Sequence, residues 1–248
     1  MDFSPTLAGR RVLLPERPDR RLADALRAAG AEVDEVALIS RTPVPSVELP
    51  ALADQLAGGL FDWLVLTSAY TVEALARLGH PLYTLLAPDL RIAAVGDATA
   101  AAVRACGGWV DLTPIDGAGG AALASNWPAG TGRVAIPGAV ESAQQLPRAL
   151  QARGWEVVQL GIYRTSPVAA LPPSVVDTWR SGGYDALVVT AGSVAKSAAS
   201  LLGATVPVVA VGERSARESE RLGFPRVVGA RTPSGHDVVS ALTVVCAG

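Results

Sequence analysis

Cysteine and histidine are scarce in this 248-residue chain, and their scarcity removes whole classes of chemistry. Cys106 and Cys246 are too few and too poorly grouped for a disulfide framework or a thiolate metal site. His80 and His236 form no HExxH, no pair of Cys or His has metal-ligand spacing, and His80 precedes Pro81 in what reads as a loop. No metal site is therefore expected. Basic residues number 21, with Lys196 the single lysine, against 23 acidic ones. The net charge of −2 lacks the basic field that nucleic-acid binding needs. No stretch approaches the roughly 20 consecutive apolar residues of a membrane span. The opening MDFSPTLAGRR lacks the charged-then-apolar order of a secretory signal, so a reducing cytoplasm is the expected location. There is no GxSxG elbow. Ser193 to Lys196 spells SxxK, but no KTG follows. Asp116 to Gly120 is glycine-rich without a full GxGxxG after a strand.

What the chain does have is apolar material and a repeat. Half its residues are apolar and 18% are charged, enough to build buried cores. Arg11-Val12-Leu13-Leu14-Pro15 opens a stretch running through LRAAGAEVDEVALISRTP, and Arg133-Val134-Ala135-Ile136-Pro137 opens one running through LQARGWEVVQLGIYRTSP. LVLTSAYTVEALARLG from Leu64 is echoed by LVVTAGSVAKSAASLLG from Leu187, and IAAVGDATAAAV from Ile92 by VVAVGERSARES from Val208. Two copies mean a duplicated unit and not a solenoid. Short apolar runs alternate with helical spacing in both copies, which argues for parallel sheets covered by helices. Strands are expected at Val12 to Leu14, Val33 to Ile39, Trp63 to Leu66 and Ile92 to Val95, then at Val157 to Tyr163, Leu187 to Val189 and Val208 to Val211. Helices are expected near Val72 to Leu78 and Ala98 to Ala105, and Gly30 is a helix stop. Proline-rich segments at Arg41 to Pro50 and Ser166 to Pro173 read as connectors between two lobes, with a cleft between the lobes as the place for a ligand.

Four strand-to-helix turns carry the candidate binding chemistry. Gly96 to Thr99 and Gly212 to Ser215 follow apolar strands, as do Thr67 with Ser68 and Thr190 with Ser193. A small hydroxyl residue there can simply cap its helix. The same geometry also makes an anion seat, because free N–H groups and the helix dipole both point to it. Each such terminus offers an anion about 0.3–1 kcal/mol when exposed and ~2 kcal/mol when partly buried, so tight binding calls for a ligand with several anionic groups.

The motifs VGDATAAAVRACG, LVLTSAYTVEALARLG, GIYRT and AVGERSARESERLG, in this order and spacing, resemble those of the uroporphyrinogen-III synthase family, and the resemblance runs from Arg11 to about Leu242. It implies two flavodoxin-like α/β lobes joined by two extended connectors, the first lobe from residues 1–40 plus 168–248 and the second from 41–167. It implies an enzyme that cyclises hydroxymethylbilane, a linear tetrapyrrole with eight carboxylates, through an azafulvene and a spiro intermediate to uroporphyrinogen III with the last ring inverted. That chemistry uses no metal or cofactor, and the upstream deaminase that makes the substrate is an implied partner. The family's tyrosine is matched by Tyr163, which would assist departure of the hydroxymethyl oxygen by donating a proton or by positioning water. Family binding positions are matched by Thr67, Ser68, Gly96, Thr99, Thr190, Ser193, Gly212 and Ser215, and Arg17 resembles the family's arginine after the first strand. Three positions depart from the pattern: Ser215 where threonine is common, Ala143 where an arginine opens a helix, and Ala191 where a small polar residue is usual. A degenerate synthase-like domain that binds polyanions or regulates is the alternative. A two-lobed receptor of the periplasmic type would normally carry an export signal, and a nucleotide-dependent enzyme a phosphate loop.

Overall fold

A computed structural model describes residues 6–16, 20–232 and 234–247. The chain divides into two compact units, residues 1–40 with 166–248 (unit 1) and residues 41–165 (unit 2). In chain order the elements are β1 (Arg11–Pro15), α1 (Arg21–Ala28), β2 (Glu32–Val36), β3 (Ile39–Pro43), α2 (Leu49–Ala57), β4 (Trp63–Leu66), α3 (Ala69–Arg77), β5 (Arg91–Ala94), α4 (Asp97–Ala105) and α5 (Gly120–Ser125). There follow β6 (Gly132–Ala139), α6 (Gln145–Gln151), β7 (Trp155–Pro167), α7 (Pro173–Arg180), β8 (Ala186–Val189), α8 (Gly192–Leu202), β9 (Val208–Val211), α9 (Glu213–Arg221), β10 (Val227–Ala230) and α10 (Gly235–Cys246).

Unit 1 holds one sheet in the order β10-β9-β8-β1-β2, with every neighbouring pair parallel. Numbered along the unit's own chain, this is the flavodoxin-like order 2-1-3-4-5. Successive residues of a strand face opposite sides, and both sides here are covered. Val12, Leu14, Ala186, Val188 and Val209 pack with Leu22 and Leu26 of α1 and with Val238 and Leu242 of α10. Leu13, Leu187, Val189, Val208 and Ala210 pack on the other side with Trp179 of α7 and Val194 and Ala198 of α8. Burial on both faces is why these strands read as unbroken apolar runs.

Unit 2 repeats the plan with strand order β3-β7-β6-β4-β5. β7, β6, β4 and β5 are mutually parallel, and an isolated bridge from Ala93 to Leu112 extends the sheet past β5. Leu64, Leu66, Ile92, Ala135 and Ile162 face α2, α3 and α4, while Trp63, Val65, Ala93, Val134 and Ile136 face α5, α6 and Trp127.

Two expectations need correction. The single strand expected over Val33 to Ile39 is two strands in different sheets, β2 ending at Val36 and β3 beginning at Ile39. The sheets are also not wholly parallel. The Val44 amide donates to the Ile162 carbonyl at 2.8 Å and the Val168 amide to the Leu38 carbonyl at 3.3 Å, so residue numbers rise on β3 as they fall on β7. The chain enters unit 2 along β3 and leaves it along β7, and two such strands side by side must run in opposite directions. The proline-rich connector segments are thus partly strand, and their later prolines open helices, Pro50 in α2 and Pro173 in α7. Proline suits a first helical turn because the N–H it lacks would have no intrahelical partner.

Candidate active site

All four predicted turns lie directly after the carboxyl ends of parallel strands, the usual place for ligands in α/β sheets. Their N-termini are not equivalent. α3 is capped by its own sequence: Ser68 is extended (φ −161°, ψ 143°) and its Oγ accepts from the Tyr70 amide at 3.2 Å. The N-cap residues of α4, α8 and α9 are Gly96, Ala191 and Gly212, none of which supplies a side-chain cap. Asp97 and Glu213 place a carboxylate in the first turns of α4 and α9, whereas α8 has no acid there. A first-turn carboxylate already enjoys the helix dipole and opposes an incoming anion. On this ground α8 is the most open anion seat of the four. An acid does lie close to it, Glu218, whose Cγ would be 3.4 Å from a Cβ at Gly192. Glu218 is neutralised by Arg221 at 2.6 Å and Lys196 at 3.8 Å, and the hydrogen bond from Arg221 holds its carboxyl below the usual range. The residues of the SxxK tetrapeptide thus stand in α8, with its lysine in an ion pair.

Thr99 and Ser215 sit in equivalent first turns, their amides bonded to the Gly96 and Gly212 carbonyls at 3.1 Å, and both side chains are buried. Gly212 has φ 86°, a backbone conformation that strains any L side chain. Thr190 and Ser193 flank the Ala191 N-cap and are half-buried. Arg17 lies outside the described residues.

Tyr163 stands on β7 opposite Ala139 of β6, where the register shifts between Gly138 and Ala139. The Val140 amide donates to the Tyr163 carbonyl at 2.8 Å. Close approach of this segment depends on Gly161, since a Cβ there would meet Val140 Cγ2 at 2.9 Å and Val140 Cα at 3.0 Å. The tyrosine is only 4% exposed, and its ring meets the edge of Tyr70 at 4.9 Å and 79°. Among the described residues, the buried side-chain polar atoms without a partner are four tryptophan Nε1 atoms and Thr71 Oγ1. The Tyr163 hydroxyl is not one of them, and it makes no hydrogen bond to a described residue, so its oxygen keeps access to solvent.

Around this tyrosine lie residues that sequence reading did not single out. Tyr70 donates its hydroxyl to the Arg41 carbonyl at 2.8 Å, and the Arg41 and Arg77 guanidinium groups lie 5.4 and 5.8 Å from its ring centre. Thr67 Oγ1 and Ser142 Oγ converge at Gly138, at 3.3 and 3.2 Å from where a Cβ would stand. Tyr70 was visible only as part of the LVLTSAYTVEALARLG motif. Arg41 and Tyr163 come to it from β3 and β7, distant in sequence, and no local pattern announces such contacts. Among the described residues no three His, Cys, Asp or Glu side chains gather as metal ligands, and no helix is long and apolar enough to cross a membrane.

The profile of the family described as uroporphyrinogen-III synthase HemD matches residues 20–240. The chain belongs to the uroporphyrinogen-III synthase family. It is 31% identical over 192 residues to the uroporphyrinogen-III synthase of Synechococcus elongatus, covering 75% of this chain and 71% of that one. Its fold is similar to that of a mutant uroporphyrinogen III synthase from the extremely thermophilic bacterium Thermus thermophilus, with a TM-score of 0.64, 21% identity and coverage of 95% and 98%. The uroporphyrinogen-III synthetase of Helicobacter pylori is also similar, with a TM-score of 0.61, 18% identity and coverage of 95% and 99%. Family membership makes the chain an enzyme of tetrapyrrole biosynthesis, a lyase of the cyclising kind. The structure places Thr67, Ser68, Gly96 and Thr99 after the strands of unit 2, with Tyr163 inside β7, and Thr190, Ser193, Gly212 and Ser215 after the strands of unit 1.

Proposed function

We propose that this chain converts hydroxymethylbilane to uroporphyrinogen III, with Tyr163 assisting loss of the hydroxymethyl oxygen. The observation that carries the reading is a family tyrosine held on a strand, ring buried, with a hydroxyl that is accessible and unclaimed by the described residues. A buried tyrosine ordinarily gives its hydroxyl a partner, so a free one is available to a substrate. The phenol gives its proton to the departing hydroxyl as the C–O bond breaks with electrons from the pyrrole nitrogen. Water leaves, and the pyrrole N–H proton replaces the one lost from the phenol, leaving the neutral azafulvene. The azafulvene is then attacked by the substituted carbon of the terminal pyrrole, and the spiro product fragments and recloses with that ring turned round. General-acid help of this kind is worth about 10²–10⁴-fold. Holding the substrate in the folded arrangement that favours attack at the substituted carbon supplies the selectivity.

Carboxylates of the substrate are held by the uncapped N-termini of α4, α8 and α9, with the Thr99, Ser193 and Ser215 hydroxyls in the same first turns. Each terminus contributes about 0.3–2 kcal/mol, so several must act together on the eight carboxylates. The enzyme works in the cytoplasm and receives its unstable substrate from the upstream deaminase. The test supplies hydroxymethylbilane made in situ by that deaminase and separates the products by isomer after oxidation. Predominant isomer III is the expected result. Isomer I alone, from folded protein, would overturn the proposal.

A further inference from the structure

Two guanidinium groups lie over the Tyr70 ring, which meets Tyr163, and their charges are not treated alike. Arg77 lies over the Tyr70 ring and is paired with Glu73. Arg164, the residue after Tyr163, is paired with Glu141 at 3.1 Å, and Glu141 also accepts from the Thr165 amide. Arg41 has no carboxylate partner among the described residues, yet it is not a loose surface side chain. Its guanidinium lies 5.4 Å from the Tyr70 ring centre and its carbonyl accepts the Tyr70 hydroxyl at 2.8 Å. Its strand, β3, is hydrogen-bonded to β7 beside Tyr163, through the Val44 amide and the Ile162 carbonyl. Stacking on an aromatic face fixes a cation without consuming its N–H donors, which remain for a planar, bidentate acceptor.

We propose that Arg41, held by Tyr70, binds a carboxylate of the substrate beside Tyr163. The inference rests on the synthase reading and adds a specific binding residue to it. The uncompensated charge is the reason: of the two cations over the Tyr70 ring, Arg77 is balanced by Glu73, and Arg41 is oriented and left for an anion. A substrate with eight carboxylates supplies one.

The test compares wild type with Arg41→Gln, Arg41→Lys, Tyr70→Phe and Arg77→Gln, with circular dichroism to establish folding. Two quantities are measured: KM and kcat for hydroxymethylbilane made in situ, and the Kd for uroporphyrin III, the oxidised octacarboxylate product, by fluorescence. Loss of one charge-assisted bidentate contact raises KM and Kd about tenfold in Arg41→Gln, with kcat and the isomer ratio within about twofold. Arg41→Lys keeps the charge without the planar fork and falls between. Tyr70→Phe frees the Arg41 backbone and weakens binding a few-fold, while Arg77→Gln leaves it unchanged. KM and Kd within twofold of wild type in Arg41→Gln would overturn the proposal, as would an equal loss in Arg77→Gln. If the wild type makes isomer I alone, the synthase reading fails separately. Uroporphyrin binding then still decides whether Arg41 is a carboxylate site.

Discussion

Replacing Gly161 by alanine separates the positioning of Tyr163 from the stability of the unit that carries it. The added Cβ would stand 2.9 Å from Val140 Cγ2, 3.0 Å from Val140 Cα and 3.4 Å from Val140 Cβ. Val140 is 44% exposed, so its methyl can turn away into solvent. Its Cα cannot, and ordinary contact there requires the backbone to retreat by roughly half an ångström. Overpacking of this size costs about 1–3 kcal/mol. Against that, alanine in place of glycine stabilises by about 0.4–1 kcal/mol through the unfolded chain, because the backbone at Gly161 is outside the region that strains L residues. The net loss is on the order of 1 kcal/mol. Val140, however, is the residue whose amide holds the Tyr163 carbonyl, and it follows Ala139, the register partner of Tyr163. Displacement by a fraction of an ångström at a reacting group can cost far more in rate than in stability, about 10²-fold for 1 Å. The expected result is a small drop in the urea midpoint with kcat at least tenfold lower and more isomer I. A kcat within twofold of wild type would refute the reasoning, and so would a loss of activity matched by global unfolding.

Tyr163→Phe keeps the ring against Tyr70 and removes the hydroxyl, so kcat should fall about 10²-fold with an unchanged urea midpoint; a loss under threefold would remove the tyrosine from the reaction. In unit 1 the buried Tyr184 donates its hydroxyl to Asp34 Oδ2 at 2.7 Å, and Arg11 holds the same oxygen at 2.9 Å. Burial first, and then the Asp34 hydrogen bond, push the Tyr184 phenol upward. A raised folded-state value means that its contribution is complete below the unfolded value of about 10 and is lost as pH climbs above it. Tyr184→Phe should therefore flatten the alkaline limb of the stability curve, and an unchanged limb above pH ~10 would contradict the assignment. Gly235 opens α10, and a Cβ there would meet Ala25 Cβ of α1 at 2.5 Å. Gly235→Ala should cost about 1–3 kcal/mol in denaturant unfolding, with Ala25→Gly restoring most of it; additive losses in the double variant would show that the two helices do not meet in this way.

Local structure was legible wherever local chemistry decides it. Trp63–Leu66 and Val208–Val211 are strands over the residues that their apolar runs mark, and α3 and α4 begin within three residues of their expected starts. β3 was not legible, because Ser40, Arg41 and Thr42 are exposed residues at a sheet edge and carry no apolar pattern. The strand-end turns could be read because hydroxyl and glycine residues after an apolar run are local signals. The difference in capping follows from the same alignment: Thr67 matches Thr190, so Ser68, which caps α3, is matched by Ala191, which has no side-chain acceptor to cap α8. Tyr70 against Tyr163, Arg41 over Tyr70 and Thr67 with Ser142 at Gly138 arise from strands brought together by pairing, and neighbouring residues hold no record of that.

The residue pattern by itself determined that two similar α/β halves exist, where most of their strands begin and end, and that ligands would be sought after those strands. Tertiary structure decided how the halves combine. The front of the first half, β1 and β2, pairs with β8, β9 and β10 from the back of the second, and β4 and β5 pair with β6 and β7 in the same exchanged sense. Both copies carry equally apolar strands, so burial alone would let each half close on itself. The choice is made where the chain leaves one unit along β3 and returns along β7, two strands paired with one another. Long-range pairing of this kind is a property of the whole chain and is absent from any window of its sequence.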